Sequence, residues 1–253
     1  GSVDMFISKH DSSGNLVWAH RIGGVGIDYT NKIEVVETQL GTCLYISAAF
    51  QDNVDFFGIR SYQSEGGYDI VGFMVYASTG TLVSFGGLDY VARIGGPGHD
   101  FTYDFVFDKN LNIYSTGVFF GDSCDLDPKD NSTQYYTSNC NAPDAFLLKM
   151  SSDAFFQWAV QYGSSKCNSN PATYGTAIDI DTSGNIYTSG FYGDTIDFYF
   201  PNDTSQLVHQ GNFNSYINKS SPTGELIWIA RIAGDSNTMI RDIKIAQNGD
   251  IFL

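Results

Sequence analysis

Residues 181–192 read Asp-Thr-Ser-Gly-Asn-Ile-Tyr-Thr-Ser-Gly-Phe-Tyr, and residues 108–119 repeat them as Asp-Lys-Asn-Leu-Asn-Ile-Tyr-Ser-Thr-Gly-Val-Phe. A weaker copy begins at Leu44, and a shortened one occupies residues 247–253. Self-similarity at a fixed spacing is the sequence signature of a repeat architecture. We therefore expect the fold to be built from repeated units.

A second landmark sets the length of the repeat. It is an apolar or aromatic strand that leads into alanine and a glycine-rich turn, and it occurs at residues 16–24, 90–96, 157–163 and 227–234. The alanine of this landmark returns at positions 19, 92, 159 and 230, so the period is about 70 residues.

Each repeat contains four short segments with the composition of β-strands. In the third repeat they are residues 176–181, 185–192, 213–219 and 225–232. These segments are rich in Ile, Val, Tyr and Phe and are separated by Ser-Gly-Asn, Thr-Gly and Asn-Gly turn signals. Four strands per repeat predict the blade of a β-propeller, in an all-β chain. A β-sandwich is the alternative, but it does not require a fixed repeat.

The repeat divides the chain into parts of one propeller domain, residues 1–253. The predicted parts are a half blade at 1–23, whole blades at 24–95, 96–162 and 163–233, and a half blade at 234–253. We expect four blades, of which one is a composite formed by the two ends of the chain. In the alternative arrangement, the half blades complete one another between molecules and the chains polymerise.

The whole unit resembles a known family. It reads Ile-Gly-Gly-x-Gly-x-Asp, then Asp-x-x-Gly-Asn-Ile-Tyr-x-x-Gly, then Asp-Ala-Phe-Leu-x-Lys, then Trp-Ala. This unit resembles the SBBP-type β-propeller repeats of secreted and surface proteins. The resemblance implies a propeller but no shared catalytic residues. The first whole repeat departs from the pattern, because Ala48-Ala49 replaces Thr-Gly.

Composition and charge narrow the possible partners. Of the 253 residues, 42% are hydrophobic and 16% are charged, which is typical of a chain with a sizeable core. The formal net charge of −15 repels phosphates and anionic lipid, so nucleic acid and membrane surfaces are excluded as partners. No apolar run approaches the roughly 20 residues that a membrane helix needs. Cations, neutral glycans and proteins, including a second copy of the chain, remain as partners.

Two kinds of motif resemble calcium-binding sequences. Their candidate ligands are Asp28, Asp100, Asp179 and Asp181. Gly23–Asp28 and Gly95–Asp100 resemble a calcium-binding nonapeptide, but that motif needs tandem copies nine residues apart. Asp179 and Asp181 begin an EF-hand-like loop whose twelfth position is Gly190 instead of Glu. We expect glycine turns and a hairpin turn at these places, and no cofactor or metal.

Paired carboxylates recur in every repeat. They occur at Asp52/Asp55, Asp122/Asp125 and Asp194/Asp197. Such pairs could perform glycosidic acid–base chemistry or hold a hard cation. A pair that returns in each blade is interpreted instead as a turn device that accepts backbone hydrogen bonds. Since no Gly-x-Ser-x-Gly, His-Glu-x-x-His or Cys-x-x-Cys motif occurs, the sequence predicts no catalytic residue and no enzyme.

Cysteines and sequons point to an oxidising, extracellular compartment. Cys124 and Cys140 flank one long loop and are expected to form a disulfide, whereas Cys43 and Cys167 pair with each other or link molecules. Asn131, Asn202 and Asn218 lie in Asn-x-Ser/Thr sequons. Asn218 falls within a strand, so it can carry a glycan only if that face meets solvent.

Together these features predict a secreted or cell-surface, glycosylated structural scaffold that self-assembles through its ends. The alternative is a propeller that binds glycans or proteins. A propeller hydrolase is the third possibility.

Overall fold

The computed structural model describes residues 3–85, 88–128, 134–164, 166–167, 170–200, 203–209 and 213–253. These residues form antiparallel β-structure, with one short 3₁₀ helix at Asn139–Asn141. The predicted all-β class is therefore confirmed. None of the helical structure described in these ranges is long and apolar enough to cross a membrane.

The chain forms two compact units, Gly1–Phe101 and Thr102–Leu253. The strands of the first unit are β1 (Met5–His10), β2 (Leu16–Gly24), β3 (Asp28–Thr38), β4 (Gly41–Phe56), β5 (Arg60–Tyr76), β6 (Ser84–Phe85), β7 (Leu88–Asp89) and β8 (Val91–Ile94).

The strands of the second unit begin with β9 (Phe101–Phe107), whose first residue is the last residue of the first unit. They continue as β10 (Ile113–Phe119), β11 (Cys124–Asp125), β12 (Tyr135–Tyr136), β13 (Asp144–Met150), β14 (Phe156–Gly163), β15 (Thr173–Ile180), β16 (Ile186–Tyr192), β17 (Ile196–Phe200), β18 (Asp203–Leu207), β19 (Asn214–Ser220), β20 (Leu226–Ile232), β21 (Lys244–Ile245) and β22 (Ile251–Phe252).

Three four-stranded antiparallel meanders correspond to the three whole repeats. They consist of β3-β4-β5-β8, β9-β10-β13-β14 and β15-β16-β19-β20. The four strands predicted for the third repeat are present as β15, β16, β19 and β20, within three residues of the expected bounds. The number of blades and the closure of a ring stay predictions.

The second-to-third strand connection carries structure that the sequence did not reveal. In the first unit, β4 and β5 continue beyond the meander as a hairpin that pairs with β2, through Gly23 opposite Asp55. In the second unit, the β17–β18 hairpin pairs with β14, through Tyr162 opposite Phe198. Each hairpin thus reaches back to the last strand of the preceding repeat.

One backbone hydrogen bond recurs where consecutive repeats meet, and we call the four places junctions one to four. At each junction the donor is an amide that lies before, or at the first residue of, the first strand of a repeat. The acceptor is a carbonyl of the preceding repeat, just before or within its third strand. The donors and acceptors are Asp28 to Val3 (2.9 Å), Asp100 to Tyr68 (2.7 Å), Thr173 to Pro143 (2.8 Å) and Thr238 to Phe213 (3.0 Å).

Candidate functional site

The aspartates that open the Asp-x-x-Gly-Asn turns are occupied by their own turns. Asp181 Oδ1 accepts hydrogen bonds from the amides of Ser183 and Asn185, both at 2.9 Å, and its Oδ2 lies 3.2 Å from Lys219 Nζ. Burial by itself would raise the pKa of Asp181, but the hydrogen bonds from Asn185 and Lys219 bring that pKa below its usual value. Asp108 caps its turn in the same way. The hairpin-turn interpretation of the EF-hand-like stretch is confirmed.

The paired aspartates also accept hydrogen bonds at turns. Asp55 Oδ2 accepts from the Gly58 amide at 2.8 Å, and Asp125 Oδ1 accepts from the Gln134 amide at 2.9 Å. Asp194 Oδ1 accepts from the Thr195 amide, and Asp197 pairs with the Gln206 side chain. The other members of the pairs, Asp52 and Asp122, are exposed. Asp55, Asp125 and Asp194 thus accept backbone hydrogen bonds as the turn interpretation predicts, whereas the contact of Asp197 is with a side chain.

The remaining calcium candidates accept hydrogen bonds from backbone amides. Asp28 and Asp100 accept from Gly24 and Gly96 at 3.2 and 2.9 Å. Asp179 Oδ2 accepts from the Ile245 amide at 2.7 Å and so links β15 to β21. Within the described ranges, no cluster of three or more His, Cys, Asp or Glu side chains is arranged to hold a metal ion.

A carboxylate lies beneath the glycine-rich turn of three repeats, and we call these three the junction carboxylates: Asp69 and Asp144, which are fully buried, and Asp4, which is half-buried. A Cβ atom at Gly95 would overlap the Asp69 carboxyl, and one at Gly163 would overlap that of Asp144. This close approach explains why the landmark ends in glycine.

The junction carboxylates differ in the residue that faces them. Asp4 and Asp69 each receive a hydrogen bond of 2.7 Å from Arg21 and Arg93, which form ion pairs with them. Gln161 replaces arginine opposite Asp144, with Nε2 at 2.6 Å. The Oδ1 atom of each junction carboxylate is buried and has no hydrogen-bond partner among the described residues.

Burial raises the pKa of Asp69 and of Asp144. Desolvation raises the pKa of Asp144 to about 7 and that of Asp69 to about 6, although the Arg93 charge opposes the shift at Asp69. Desolvation likewise raises the pKa of Asp28 to about 6, with the nearby Asp4 charge adding to the effect. Perturbed carboxyls can mark active sites, but here they serve internal contacts that recur with the repeat.

The structure corrects the predicted disulfide. Cys140 is bonded to Cys167, with Cα atoms 5.0 Å apart, whereas Cys43 and Cys124 are buried and lie outside this disulfide. The prediction of a Cys124–Cys140 bridge is therefore wrong. It rested on closing the shorter loop, while the fold brings the 3₁₀ helix that carries Cys140 next to Cys167 of the following insertion, and the Ser164 carbonyl oxygen lies 3.0 Å from Cys140 Sγ.

Of the three predicted glycosylation sites, the structure describes the surroundings of Asn218. Asn131 and Asn202 lie outside the described residues. Asn218 is fully buried on β19, where its side chain contacts the hydroxyls of Thr188, Ser220 and Tyr162. A glycan cannot be accommodated in that environment, so Asn218 is excluded as an acceptor in the folded protein.

A cleft of about 620 Å³ opens in the second unit between the β9–β10 and β15–β16 turns. Its lining mixes apolar residues with charged ones, such as Phe107, Tyr114 and Ile180 with Lys109, Lys149 and Asp181. Lys149 Nζ lies 4.9 Å from the Tyr114 ring centroid and 3.3 Å from the Pro222 carbonyl, which it contacts as a donor. The cleft can hold a small polar ligand, but its charges are largely paired within the fold.

Four aromatic rings meet near the second junction, and we call Tyr29, Tyr68, His99 and Phe101 the aromatic platform. Tyr68 is central, with its ring centroid 5.7 Å from Tyr29, 5.6 Å from His99 and 5.3 Å from Phe101. Tyr29 is 45% exposed, His99 is exposed, and Tyr68 and Phe101 are half-buried.

The sequence did not predict the platform, because its four residues are spread over positions 29 to 101 and only the fold brings their rings together. The available signal was a departure from the repeat. The residues equivalent to Tyr68 are Val3, Pro143 and Phe213, so an aromatic residue on both sides of a junction is peculiar to this place among the first three junctions.

Comparison with known proteins agrees with the repeat. No curated protein matches the chain. Residues 157–190, which run from β14 into β16, match the family model described as SBBP, beta-propeller repeat. The chain therefore carries a β-propeller repeat of the SBBP family, as the resemblance of its repeated unit implied.

Proposed function

We propose that this chain is a non-enzymatic β-propeller module that acts outside the cell as a structural scaffold. The observation that carries the proposal is the internal use of the recurring carboxylates. Asp55, Asp125 and Asp197 accept hydrogen bonds at hairpins, and Asp144 binds Gln161 beneath a glycine. This internal use of the carboxylates supports a role in the framework of the fold instead of a catalytic role.

The disulfide supports an extracellular location. Disulfides persist in oxidising compartments and are rare in the cytosol. The Cys140–Cys167 bridge closes a chain segment of 27 positions, which stabilises the folded state by about 3.5 kcal/mol on the chain-entropy model. Glycans at Asn131 and Asn202 are part of the same proposal.

Self-association and catalysis are tested by separate measurements on the same preparation. Light scattering after size exclusion at neutral pH, with and without reductant, is expected to detect oligomers or polymers. A strict monomer under all conditions would count against the scaffold. Model glycosides and peptides are expected to remain intact. Hydrolysis that disappears in Asp125→Asn or Asp197→Asn would contradict the non-enzymatic assignment.

A binding module is the second candidate, and the cleft between the β9–β10 and β15–β16 turns favours it. A concave site lined by aromatic, aliphatic and a few polar groups is the usual form of a ligand site. Lys109→Ala, at the exposed rim of the cleft, is expected to weaken a ligand bound there without changing the unfolding midpoint.

A further inference from the structure

Main-chain hydrogen bonds hold the backbone on both sides of Tyr68, the central residue of the aromatic platform. The Gly67 amide donates to the Gly98 carbonyl at 2.9 Å, and the Asp100 amide donates to the Tyr68 carbonyl at 2.7 Å. The Tyr68 amide in turn donates to His99 Nδ1 at 3.3 Å. Because Nδ1 is the acceptor, the neutral His99 ring carries its proton on Nε2, which stays available as a donor. A ligand would therefore meet rings that need little ordering.

The ring geometry differs from that of the core. Tyr68 is inclined by 40° to Tyr29, 38° to His99 and 39° to Phe101. In the core of the same unit, Phe56 packs on Phe73 at 62°, in the edge-to-face manner. Exposed aromatic rings that gather in one place, with polar tips, are typical of binding surfaces.

We propose that the aromatic platform binds a neutral oligosaccharide, whose sugar rings pack on the tyrosine faces. The C–H groups on one face of a pyranose are apolar, while its hydroxyls lie at the rim of the ring. Tyrosine suits such a ligand because it offers an apolar body and a hydroxyl that hydrogen-bonds. The proposal goes beyond the scaffold function proposed above, and its site in the first unit is separate from the cleft of the second unit.

The charges around the platform decide against an anionic ligand. The carboxylates of Asp69 and Asp100 flank the second junction, and Glu65 lies close by. Arg93 is held by Asp69 at 2.7 Å and by Glu65 at 2.8 Å, so its charge is already neutralised. The Asp28 charge reaches the Tyr68 hydroxyl and contributes to the raised pKa of that phenol, after burial and the contact with Tyr29. Uronates and sulfated sugars would be repelled here.

The test is a titration of the protein with neutral cello-, laminari-, manno- and chito-hexasaccharides, followed by protein NMR shifts. We expect at least one of them to bind saturably. Tyr29→Ala and Tyr68→Val should each weaken that binding by about tenfold or more. Tyr68→Val introduces the residue that Val3 provides at the first junction, so the junction itself should survive the change.

Tyr135→Ala is the matched control, because Tyr135 is 60% exposed in the second unit and lies outside the platform. It should bind the sugar as the unchanged protein does. The proposal would be overturned if no neutral hexasaccharide bound saturably, or if both platform variants bound the sugar as tightly as the unchanged protein does. Tighter binding of a uronate hexasaccharide would overturn its neutral-ligand part. Sugar cleavage during the titration would contradict the non-enzymatic assignment, and the solution size tests the scaffold independently.

Discussion

Gln161 faces Asp144 where Arg21 and Arg93 face Asp4 and Asp69, so the Gln161 amide, 2.6 Å from Asp144 Oδ2, supplies a hydrogen bond without a positive charge. The Asn139 amide adds a second hydrogen bond at 2.9 Å. Neither donor offsets the desolvation of the ionised carboxylate, which is why the pKa of Asp144 is raised further than that of Asp69.

This arrangement predicts that the protein is more stable in mild acid than in mild base. Folding favours the protonated Asp144, so its contribution is fully present below the unfolded pKa, near 4, and is lost as the pH rises through about 7. By linkage the loss is at most about 4 kcal/mol. Urea unfolding at pH 5, 6, 7 and 8 measures it. Asp144→Asn should reduce the slope of the profile between pH 5 and 7, whereas Asp153→Asn, at an exposed aspartate, should leave it unchanged. An identical slope in Asp144→Asn and the unchanged protein would rule out this origin.

The disulfide predicts which cysteines react. The unfolded, unreduced protein should show two thiols, Cys43 and Cys124, and four after reduction. Cys140→Ser and Cys167→Ser should each cost about 3.5 kcal/mol, because the unfolded chain regains the entropy of the open loop. Non-reducing peptide mapping checks the pairing, and a peptide that links residues 124 and 140 would contradict the structure.

The close approach of Gly163 to Asp144 predicts that alanine destabilises the fold at position 163 but not at position 234. Gly163→Ala places a Cβ against the Asp144 carboxyl and should destabilise the fold by roughly 1–3 kcal/mol through overpacking. Gly234→Ala is the control, because its Cβ would meet nothing nearer than 3.5 Å and its backbone is not left-handed. Thermal unfolding of both variants measures the difference. Equal midpoints would show that the carboxyl moves aside without cost.

The buried Asn218 predicts a site that stays unmodified in a secreted preparation. Intact mass should be unaffected by Asn218→Gln, apart from the substitution itself. Asn218→Ala should lower the free energy of unfolding by about 1–3 kcal/mol, since the buried hydroxyls around it lose their partner. A glycan found at Asn218 would mean that β19 is exposed during secretion or in the native fold.

Much of the fold followed from the repeat, and the reason is local. The strands of the third repeat alternate in polarity and end at turns such as Asp181–Asn185, where Asp181 accepts hydrogen bonds from amides two and four residues further along. Such features are encoded in the segment that forms them. The hairpins that reach back to β2 and β14 were not predictable, because their pairing depends on the neighbouring repeat.

The disulfide and the aromatic platform could not be predicted from the sequence for a similar reason. The Cys140–Cys167 bridge joins a loop to the insertion of the next repeat, and loop length alone favoured the wrong partner, Cys124. The aromatic platform joins Tyr29 to residues about 40 and 70 positions further along.

The four junction bonds use only main-chain atoms, and this has a consequence for how such a protein can diverge after duplication of its repeats. A hydrogen bond from amide to carbonyl does not depend on the side chains that flank it, as the change from Asp28 and Asp100 to Thr173 and Thr238 illustrates. Mutation can therefore alter the chemistry displayed at one join while the spacing of the repeats is inherited intact. A chain built in this way can acquire a local speciality, such as a patch of rings, without giving up its architecture.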